Sequence, residues 1–179
     1  MKLSAHKKQI AVLIDPDKMD AKKLLKIIAA ANHISIDFFL IGGSLILKNN
    51  LETCIQLLKK NTSKKVYLFP GNPSQISAEA DGLLFLMLLS GRNPEYLIEH
   101  QIQAVPIIEK TNLEIISTGY MVIDGGAPTT VSYISNASPI PSNKNEIAMC
   151  TAMAGEMLGM KLIYMDAGSG AERSVTGDM

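Results

Sequence analysis

Short apolar runs alternate along the chain with longer segments in which apolar residues recur at helical spacing. Each run stops at a cluster of Gly, Pro, Ser, Thr or Asp residues, which are typical of turns. The runs cover residues 10–14, 36–41, 66–69, 82–89, 114–117 and 161–165. Parallel strands are buried on both faces and joined by crossover helices, so this pattern predicts a parallel α/β sheet.

Helical spacing is found in four segments between the runs. The predicted helices cover residues 19–32, 45–60, 95–103 and 145–159, and Gly159 is a plausible C-terminal stop for the last of them. Residues 122–144 are rich in Gly, Pro, Ser, Asn and Thr and predict an extended loop. No linker separates two halves of the chain, so we predict a single domain over residues 1–179.

Two parallel architectures fit this alternation, an open doubly wound sheet and a closed (β/α)8 barrel. The open sheet usually carries Gly-x-Gly-x-x-Gly after its first strand, whereas the first run here ends in Asp15-Pro16-Asp17-Lys18. The sequence therefore favours the TIM barrel. A barrel typically needs about 250 residues, so the 179 residues of this chain predict a barrel truncated after the sixth strand, with two C-terminal βα units missing.

Composition and charge exclude several classes of function. The formal net charge is zero and 19% of the residues are charged, which argues against a general nucleic-acid binder. The longest apolar run, residues 83–89, is far shorter than the about 20 residues that span a bilayer, so we expect no transmembrane segment. Cys54 and Cys150 have neither disulfide nor metal-ligand spacing, and a reducing cytoplasm is the simplest location.

The first candidate site lies where the first two runs end. Asp15 directly follows a buried strand, and a carboxylate there suits Mg2+, which prefers oxygen ligands. Asp17 and Asp20 could instead be N-caps of the next helix. Ser44 follows two glycines and can offer an oxygen to a ligand or cap a helix. Neighbouring strand ends of a barrel would place Ser44 close to Asp15, where the two could share a cation.

The second candidate site lies at the end of the sixth run. Gly168-Ser169-Gly170, placed before a predicted helix, exposes backbone N–H groups that suit a phosphate, and an ordinary flexible turn is the alternative. Asp166 lies just inside this turn, where a carboxylate could orient or deprotonate a hydroxyl group. Tyr120 puts a phenol at the end of the fifth run, for chemistry or for packing.

Six motifs occur in order along the chain. They cover residues 13–18, 41–44, 69–73, 85–94, 118–120 and 158–170. Together they resemble the geranylgeranylglyceryl phosphate synthase family, to which the heptaprenylglyceryl phosphate synthases are related. The similarity extends from about Ile10 to Val175, which is nearly the whole chain.

This resemblance implies a (β/α)8 barrel with a prenyltransferase activity. Such an enzyme moves a polyprenyl group from its diphosphate to the 3-hydroxyl of sn-glycerol 1-phosphate, with Mg2+, in ether phospholipid biosynthesis. By resemblance, Asp15 and Ser44 ligate Mg2+. From their places at the ends of the sixth and fifth runs, we predict Asp166 and Tyr120 as the catalytic residues. The complete barrel is expected to be a homo-oligomer. The residues implied to bind glycerol 1-phosphate are Tyr164, Met165, Asp166, Ala167, Gly168, Ser169 and Gly170.

The chain departs from the family at two points. Family members usually carry Glu where this chain has Asp166, so the carboxylate is retracted by about one methylene group. They also continue through two further strand–helix units that complete the phosphate site. Two alternatives therefore stay open: another phosphate-binding TIM barrel, such as a phosphosugar isomerase or aldolase, or an inactive truncated barrel.

Overall fold

The computed structural model of the chain describes residues 7–48 and 50–179. Within these residues, helices follow most of the strands, as the sequence predicts. The strands are β1 (Ala11–Ile14), β2 (Phe38–Ile41), β3 (Lys65–Leu68), β4 (Gly82–Leu88), β5 (Glu114–Val122) and β6 (Leu162–Asp166). The helices are α1 (Ala21–His33), α2 (Leu51–Asn61), α3 (His100–Ile108), α4 (Thr130–Ile134) and α5 (Asn145–Met157), with a turn of π-helix at Glu95–Glu99 directly before α3.

The strands belong to one sheet in which each lies beside the next in chain order, from β1 to β6. The β1–β2, β2–β3, β3–β4 and β5–β6 pairs are parallel. A doubly wound sheet reverses its strand order at a switch point, whereas a barrel keeps chain order. The predicted α/β fold class of TIM-barrel type is therefore confirmed, with six strands in the described residues. The single domain stays a prediction.

The chain forms two compact units. The first contains the described residues up to Leu84 together with Pro106–Ile115, and the second contains Phe85–Val105 and Ile116–Met179. Asp15 and Ser44 therefore belong to the first unit. The second unit contains Tyr120 and all seven residues of the predicted glycerol phosphate site.

The core of the first unit consists of apolar strands covered by α1 and α2. Asp20 begins α1 as its N-cap, because its carboxylate accepts a hydrogen bond from the Lys23 N–H at 2.8 Å. One of the two predicted caps is thus confirmed. Each helix buries residues spaced three or four apart, as an amphipathic helix does. The buried side chains are Leu24, Ile28 and Ala31 of α1 and Leu51, Cys54, Ile55 and Leu58 of α2.

The core of the second unit lies between β5 and α5. It contains Met121, Ile123, Ile140 and Ala148, with Ile163 packed against them. Ile123 and Ile140 form an isolated parallel bridge, so the chain between them leaves the sheet and returns to it. The bridge therefore joins residues near the two ends of the loop predicted over residues 122–144.

Three sequence-based expectations about elements are wrong. α2 begins at Leu51 rather than at Leu45. β5 continues to Val122, so Tyr120 lies inside the strand and not at its end. Residues 167–179 contain no helix, so the Gly-Ser-Gly turn does not lead into a helix N-terminus.

The connection between β5 and α5 also differs from the prediction. It contains the short helix α4, because Thr129 and Ser132 exchange the two hydrogen bonds of a capping box. In the part of the chain that the structure describes, no helix is both long enough and apolar enough to cross a membrane.

Candidate functional site

Asp15 lies directly after β1, and both of its carboxylate oxygens have protein partners. Oδ1 accepts a hydrogen bond from the Asp17 N–H at 3.1 Å, which caps the 3₁₀ turn Pro16–Lys18. Oδ2 forms an ion pair with Nζ of Lys18 at 3.0 Å. Because an ionised carboxylate offers about four lone-pair directions, these contacts leave it able to coordinate a cation.

The turn after β2 carries Ser44 and runs beside Asp15. The Gly42 N–H donates to the carbonyl oxygen of Ile14, the last residue of β1, at 3.0 Å. A Cβ atom placed on Gly43 would lie 3.6 Å from Oδ1 of Asp15, which is van der Waals contact. The structure thus brings Asp15 and the turn of Ser44 together, as the sequence predicts for neighbouring strand ends.

Asp17 is not a cap of α1, and instead it holds the loop between β2 and α2. Its Oδ2 and Oδ1 accept hydrogen bonds from the N–H groups of Leu47 at 2.6 Å and Lys48 at 2.9 Å. These two bonds lower the pKa of Asp17 below its ordinary value of 3.8. They also explain why α2 begins late, since Leu47 and Lys48 are engaged with Asp17 rather than with a helix.

Asp17→Asn is expected to loosen this loop. An amide offers one acceptor oxygen where the carboxylate offers two, so at least one backbone hydrogen bond is lost. Amide hydrogen exchange of Leu47 and Lys48 should then be faster, whereas Asp20→Asn, which keeps a competent helix cap, should leave it unchanged. The pKa of Asp17 is lowered in the folded state. In the unmodified chain, the Leu47 and Lys48 amides should therefore be protected against exchange above about pH 4, and this protection should be lost as the pH falls through that pKa. Equal exchange in both variants would show that Asp17 does not hold the loop.

Gln75 joins two turns of the first unit, and sequence reasoning missed it. Its side chain is only 2% exposed. Oε1 accepts hydrogen bonds from the N–H groups of Gly43 at 3.3 Å and Gly71 at 3.1 Å, and Nε2 donates to the Gly43 carbonyl at 2.8 Å. A glutamine after Asn-Pro-Ser is typical of an exposed turn, so no local signal could have identified it.

The oxygen donors at the ends of β1 and β2 are of the kind that Mg2+ prefers. Asp15 supplies a carboxylate and Ser44 a hydroxyl, and Mg2+ commonly takes only one or two protein carboxylates and completes its shell with water and phosphate. Within residues 7–48 and 50–179, no group of three or more His, Cys, Asp or Glu side chains could hold a metal by itself. Water or oxygen atoms of a bound molecule would therefore have to complete the coordination of a cation there.

Asp166, the last residue of β6, is held by two neighbours in the second unit. Its Oδ2 accepts a hydrogen bond from the Tyr120 hydroxyl at 2.8 Å, and its Oδ1 accepts one from the Gly168 N–H at 2.8 Å. Tyr120 of β5 lies opposite Tyr164 of β6 in the parallel register. The strand pairing therefore brings the two predicted catalytic residues, Asp166 and Tyr120, into direct contact.

Burial keeps the phenols beside Asp166 protonated. It raises the pKa of Tyr120 far above its ordinary value of 10.0, and the negative charge of Asp166 raises it further. The same two causes raise the pKa of Tyr164, whose ring centroid lies 6.0 Å from that of Tyr120. A protonated Tyr120 donates its hydrogen bond to Asp166, so it positions the carboxylate rather than acting as a base.

The turn after β6 packs closely against Thr129 at Gly168. Gly168 has a φ of +88°, and a Cβ atom there would lie 2.7 Å from Oγ1 of Thr129, so the position favours glycine. Ser169 and Gly170 are exposed. A separate groove, of volume ≈ 790 Å³, is lined by residues 124, 126–128, 132–133 and 136–139 instead of by this turn.

Comparison with known proteins assigns the chain to a family. A model of the PcrB family matches residues 3–179. The chain belongs to the PcrB family. Among its curated relatives, the geranylgeranylglyceryl phosphate synthase of Chitinophaga pinensis is 55% identical over 172 residues, which are 96% of this chain and 68% of that protein. The synthase of Spirosoma linguale is 47% identical over 178 residues, 99% of this chain and 71% of that protein.

Solved structures of such synthases resemble this PcrB-family chain closely. The (S)-3-O-geranylgeranylglyceryl phosphate synthase from Thermoplasma acidophilum, in complex with its substrate sn-glycerol-1-phosphate, has a TM-score of 0.89 and 31% identity. The similarity covers 96% of this chain and 69% of that one. Wild-type GGGPS from Thermoplasma volcanium has a TM-score of 0.86 and 34% identity, over 93% of this chain and 66% of that one. Through this family the chain is an enzyme of the synthase type, and it spans about two thirds of the length of its relatives.

Proposed function

We propose that the chain transfers a polyprenyl group from its diphosphate to the 3-hydroxyl of sn-glycerol 1-phosphate, in ether phospholipid biosynthesis. The observation that carries this proposal is the TM-score of 0.89 to a synthase that binds sn-glycerol-1-phosphate, over 96% of the chain. Each unit separately supplies groups that the reaction needs. The first unit supplies the oxygen donors of Asp15 and Ser44, and the second supplies the Asp166 carboxylate, which is held by hydrogen bonds.

The second unit binds and activates the acceptor in this proposal. The turn from Tyr164 to Gly170 holds the glycerol phosphate, and its backbone N–H groups donate to the phosphate oxygens. The Gly168 N–H already donates to Asp166, so it orients the carboxylate instead. Asp166 accepts the proton of the 3-hydroxyl as a general base, while Tyr120 holds the other carboxylate oxygen.

The first unit binds the diphosphate of the donor. Asp15 and Ser44 would hold Mg2+ there, together with diphosphate oxygens. When bound, Mg2+ offsets the negative charge that develops on the departing diphosphate. Lys18, which is ion-paired with Asp15 at 3.0 Å, adds a positive charge beside the same carboxylate.

The bond changes balance without any oxidant or reductant. The 3-hydroxyl oxygen forms a bond to the allylic carbon C1 of the prenyl group, and the bond from C1 to the diphosphate oxygen breaks. The electron pair of that bond leaves with the diphosphate, and the hydroxyl proton passes to Asp166. Holding the hydroxyl oxygen and C1 within reach of each other supplies much of the rate enhancement.

The proposal is tested by product formation. The chain is incubated with labelled sn-glycerol 1-phosphate, Mg2+ and prenyl diphosphates of several lengths, and the products are extracted into butanol. We expect a labelled ether lipid that requires both the prenyl diphosphate and Mg2+. The Chitinophaga pinensis relative, assayed in parallel, is the positive control. Product from the relative and none from this chain would contradict the proposal.

Asp166→Glu is expected to raise the turnover number. The longer side chain moves the carboxylate by about one methylene group toward the acceptor, and a misplacement of about 1 Å can change a rate 10²-fold. Asp124→Glu, which lengthens a carboxylate outside the proposed site, is the matched control and should leave turnover unchanged. Steady-state kinetics with saturating acceptor measures the effect, and an unchanged or lower turnover number for Asp166→Glu would contradict the expectation.

A further inference from the structure

Gln75 lies buried where the turns after β2 and β3 touch. A Cβ atom placed on Gly71 would lie 2.8 Å from the carbonyl oxygen of Ser44, so the two turns are in direct contact. The turn after β2 contains Gly42 and Gly43, which have no side chains through which packing could fix it. The Gln75 side-chain amide holds the two turns together by hydrogen bonds. Its oxygen accepts from the Gly43 and Gly71 N–H groups, and its nitrogen donates to the Gly43 carbonyl.

The hydrogen bonds of Gln75 restrict both peptide planes of Gly43. The bond to the Gly43 N–H fixes the peptide before this residue, and the bond to its carbonyl fixes the peptide that leads into Ser44. Farther along the same loop, Asp17 holds the N–H groups of Leu47 and Lys48. Side-chain hydrogen bonds therefore hold the backbone on both sides of Ser44, from Gln75 before it and from Asp17 after it.

We propose that Gln75 is a positioning residue, which fixes the backbone at Ser44 so that its hydroxyl is presented to a Mg2+–diphosphate group. This inference rests on the proposed function, because Ser44 is a metal ligand only in that proposal. A purely structural role would affect stability alone. A positioning role also affects the affinity for Mg2+–diphosphate, since partners that orient a metal ligand typically contribute 10- to 100-fold to metal affinity.

The first test compares Gln75→Ala with Ser77→Ala. Ser77 is the control because it is also 2% exposed and accepts a hydrogen bond from the Glu79 N–H at 3.3 Å, away from both glycine turns. Titration calorimetry with Mg2+ and inorganic diphosphate measures the affinity, and thermal unfolding measures stability. We expect about tenfold weaker binding for Gln75→Ala and faster amide exchange at Gly43. Ser77→Ala should lower the unfolding temperature and leave the affinity unchanged.

The second test uses Gln75→Glu and covers the case in which Gln75→Ala fails to fold. A protonated glutamic acid can donate to the Gly43 carbonyl as the amide does, whereas an ionised one cannot. The affinity of Gln75→Glu relative to the unmodified chain should therefore fall about tenfold as the pH rises through the pKa of the new carboxyl group. Taking the ratio at each pH removes the titration of the diphosphate itself.

The outcomes separate this inference from the proposed function. Suppose that the unmodified chain binds Mg2+–diphosphate and that the affinity of Gln75→Ala or Gln75→Glu stays within twofold of it at every pH. This result would overturn the positioning role alone. Equal loss of affinity in Gln75→Ala and Ser77→Ala would also overturn it, because the effect would then follow stability. Failure of the unmodified chain to bind Mg2+–diphosphate would overturn the proposed metal site together with this inference.

Discussion

Asp166→Asn is expected to lower the turnover number of prenyl transfer by about 10²- to 10⁴-fold, the range that a lost general base typically costs. The amide keeps the shape of the site, because its oxygen can accept the hydrogen bond of the Gly168 N–H and its nitrogen can donate to the Tyr120 oxygen. It cannot accept the proton of the 3-hydroxyl at neutral pH. The effect should therefore fall on turnover, with little change in stability.

Tyr120→Phe separates positioning from proton transfer at the same site. It removes the hydrogen bond to Oδ2 of Asp166 but leaves the base, so we expect a smaller loss of about tenfold. Rates are measured under single-turnover conditions, which exclude product release. Asp166→Asn with more than a tenth of the original rate would show that Asp166 is not the general base.

Asp15→Asn is expected to abolish the activation of the enzyme by Mg2+ and to lower kcat/KM for the prenyl diphosphate by about 100-fold or more, since metal stabilisation of a leaving group supplies several kcal/mol. The side-chain oxygen of Asn can still accept the hydrogen bond from the Asp17 N–H, so it caps the 3₁₀ turn as Asp does. The ion pair with Lys18 is lost, but an exposed pair contributes only about 0–1 kcal/mol to stability. The variant therefore removes a charged ligand while the fold remains.

Lys18→Ala is the control for that ion pair. It removes the same pair and leaves the carboxylate of Asp15, so Mg2+ activation should persist with at most a moderate change in KM. The Mg2+ concentration that gives half-maximal activity is measured for both variants and for the unmodified chain. An Asp15→Asn variant that Mg2+ activates as it does the unmodified chain would remove Asp15 from the proposed metal site.

The order of strands and helices could be predicted because it depends on local patterns. Buried parallel strands are apolar runs, α1 carries its cap at Asp20, and α5 is followed by Gly159. The late start of α2 could not be predicted in this way. Residues 45–48 have helical spacing, but Asp17, about 30 residues earlier in the chain, takes the N–H groups of Leu47 and Lys48.

The candidate sites were predictable to the extent that their residues follow strand ends. Asp15 and Ser44 are predicted because they come after β1 and β2, and Asp166 because it ends β6; their roles stay predictions, while Asp166 and Tyr120 are in contact. Gln75 could not be predicted, because its contacts are hydrogen bonds to backbone groups of Gly43 and Gly71, which no side-chain pattern reveals. The long β5 was missed for a similar reason: pairing with β6 continues to Val122, past the Thr-Gly-Tyr sequence that suggested a strand end.

The central claim, transfer of a prenyl group to the 3-hydroxyl of sn-glycerol 1-phosphate, is tested most directly with an acceptor that carries ¹⁸O at that hydroxyl. The chain is incubated with this acceptor, geranylgeranyl diphosphate and Mg2+, and the extracted ether and the released diphosphate are analysed by mass spectrometry. We expect the ¹⁸O in the ether product and none in the diphosphate, because the acceptor oxygen attacks carbon C1. Absence of the ether product, or ¹⁸O in the diphosphate, would contradict the account.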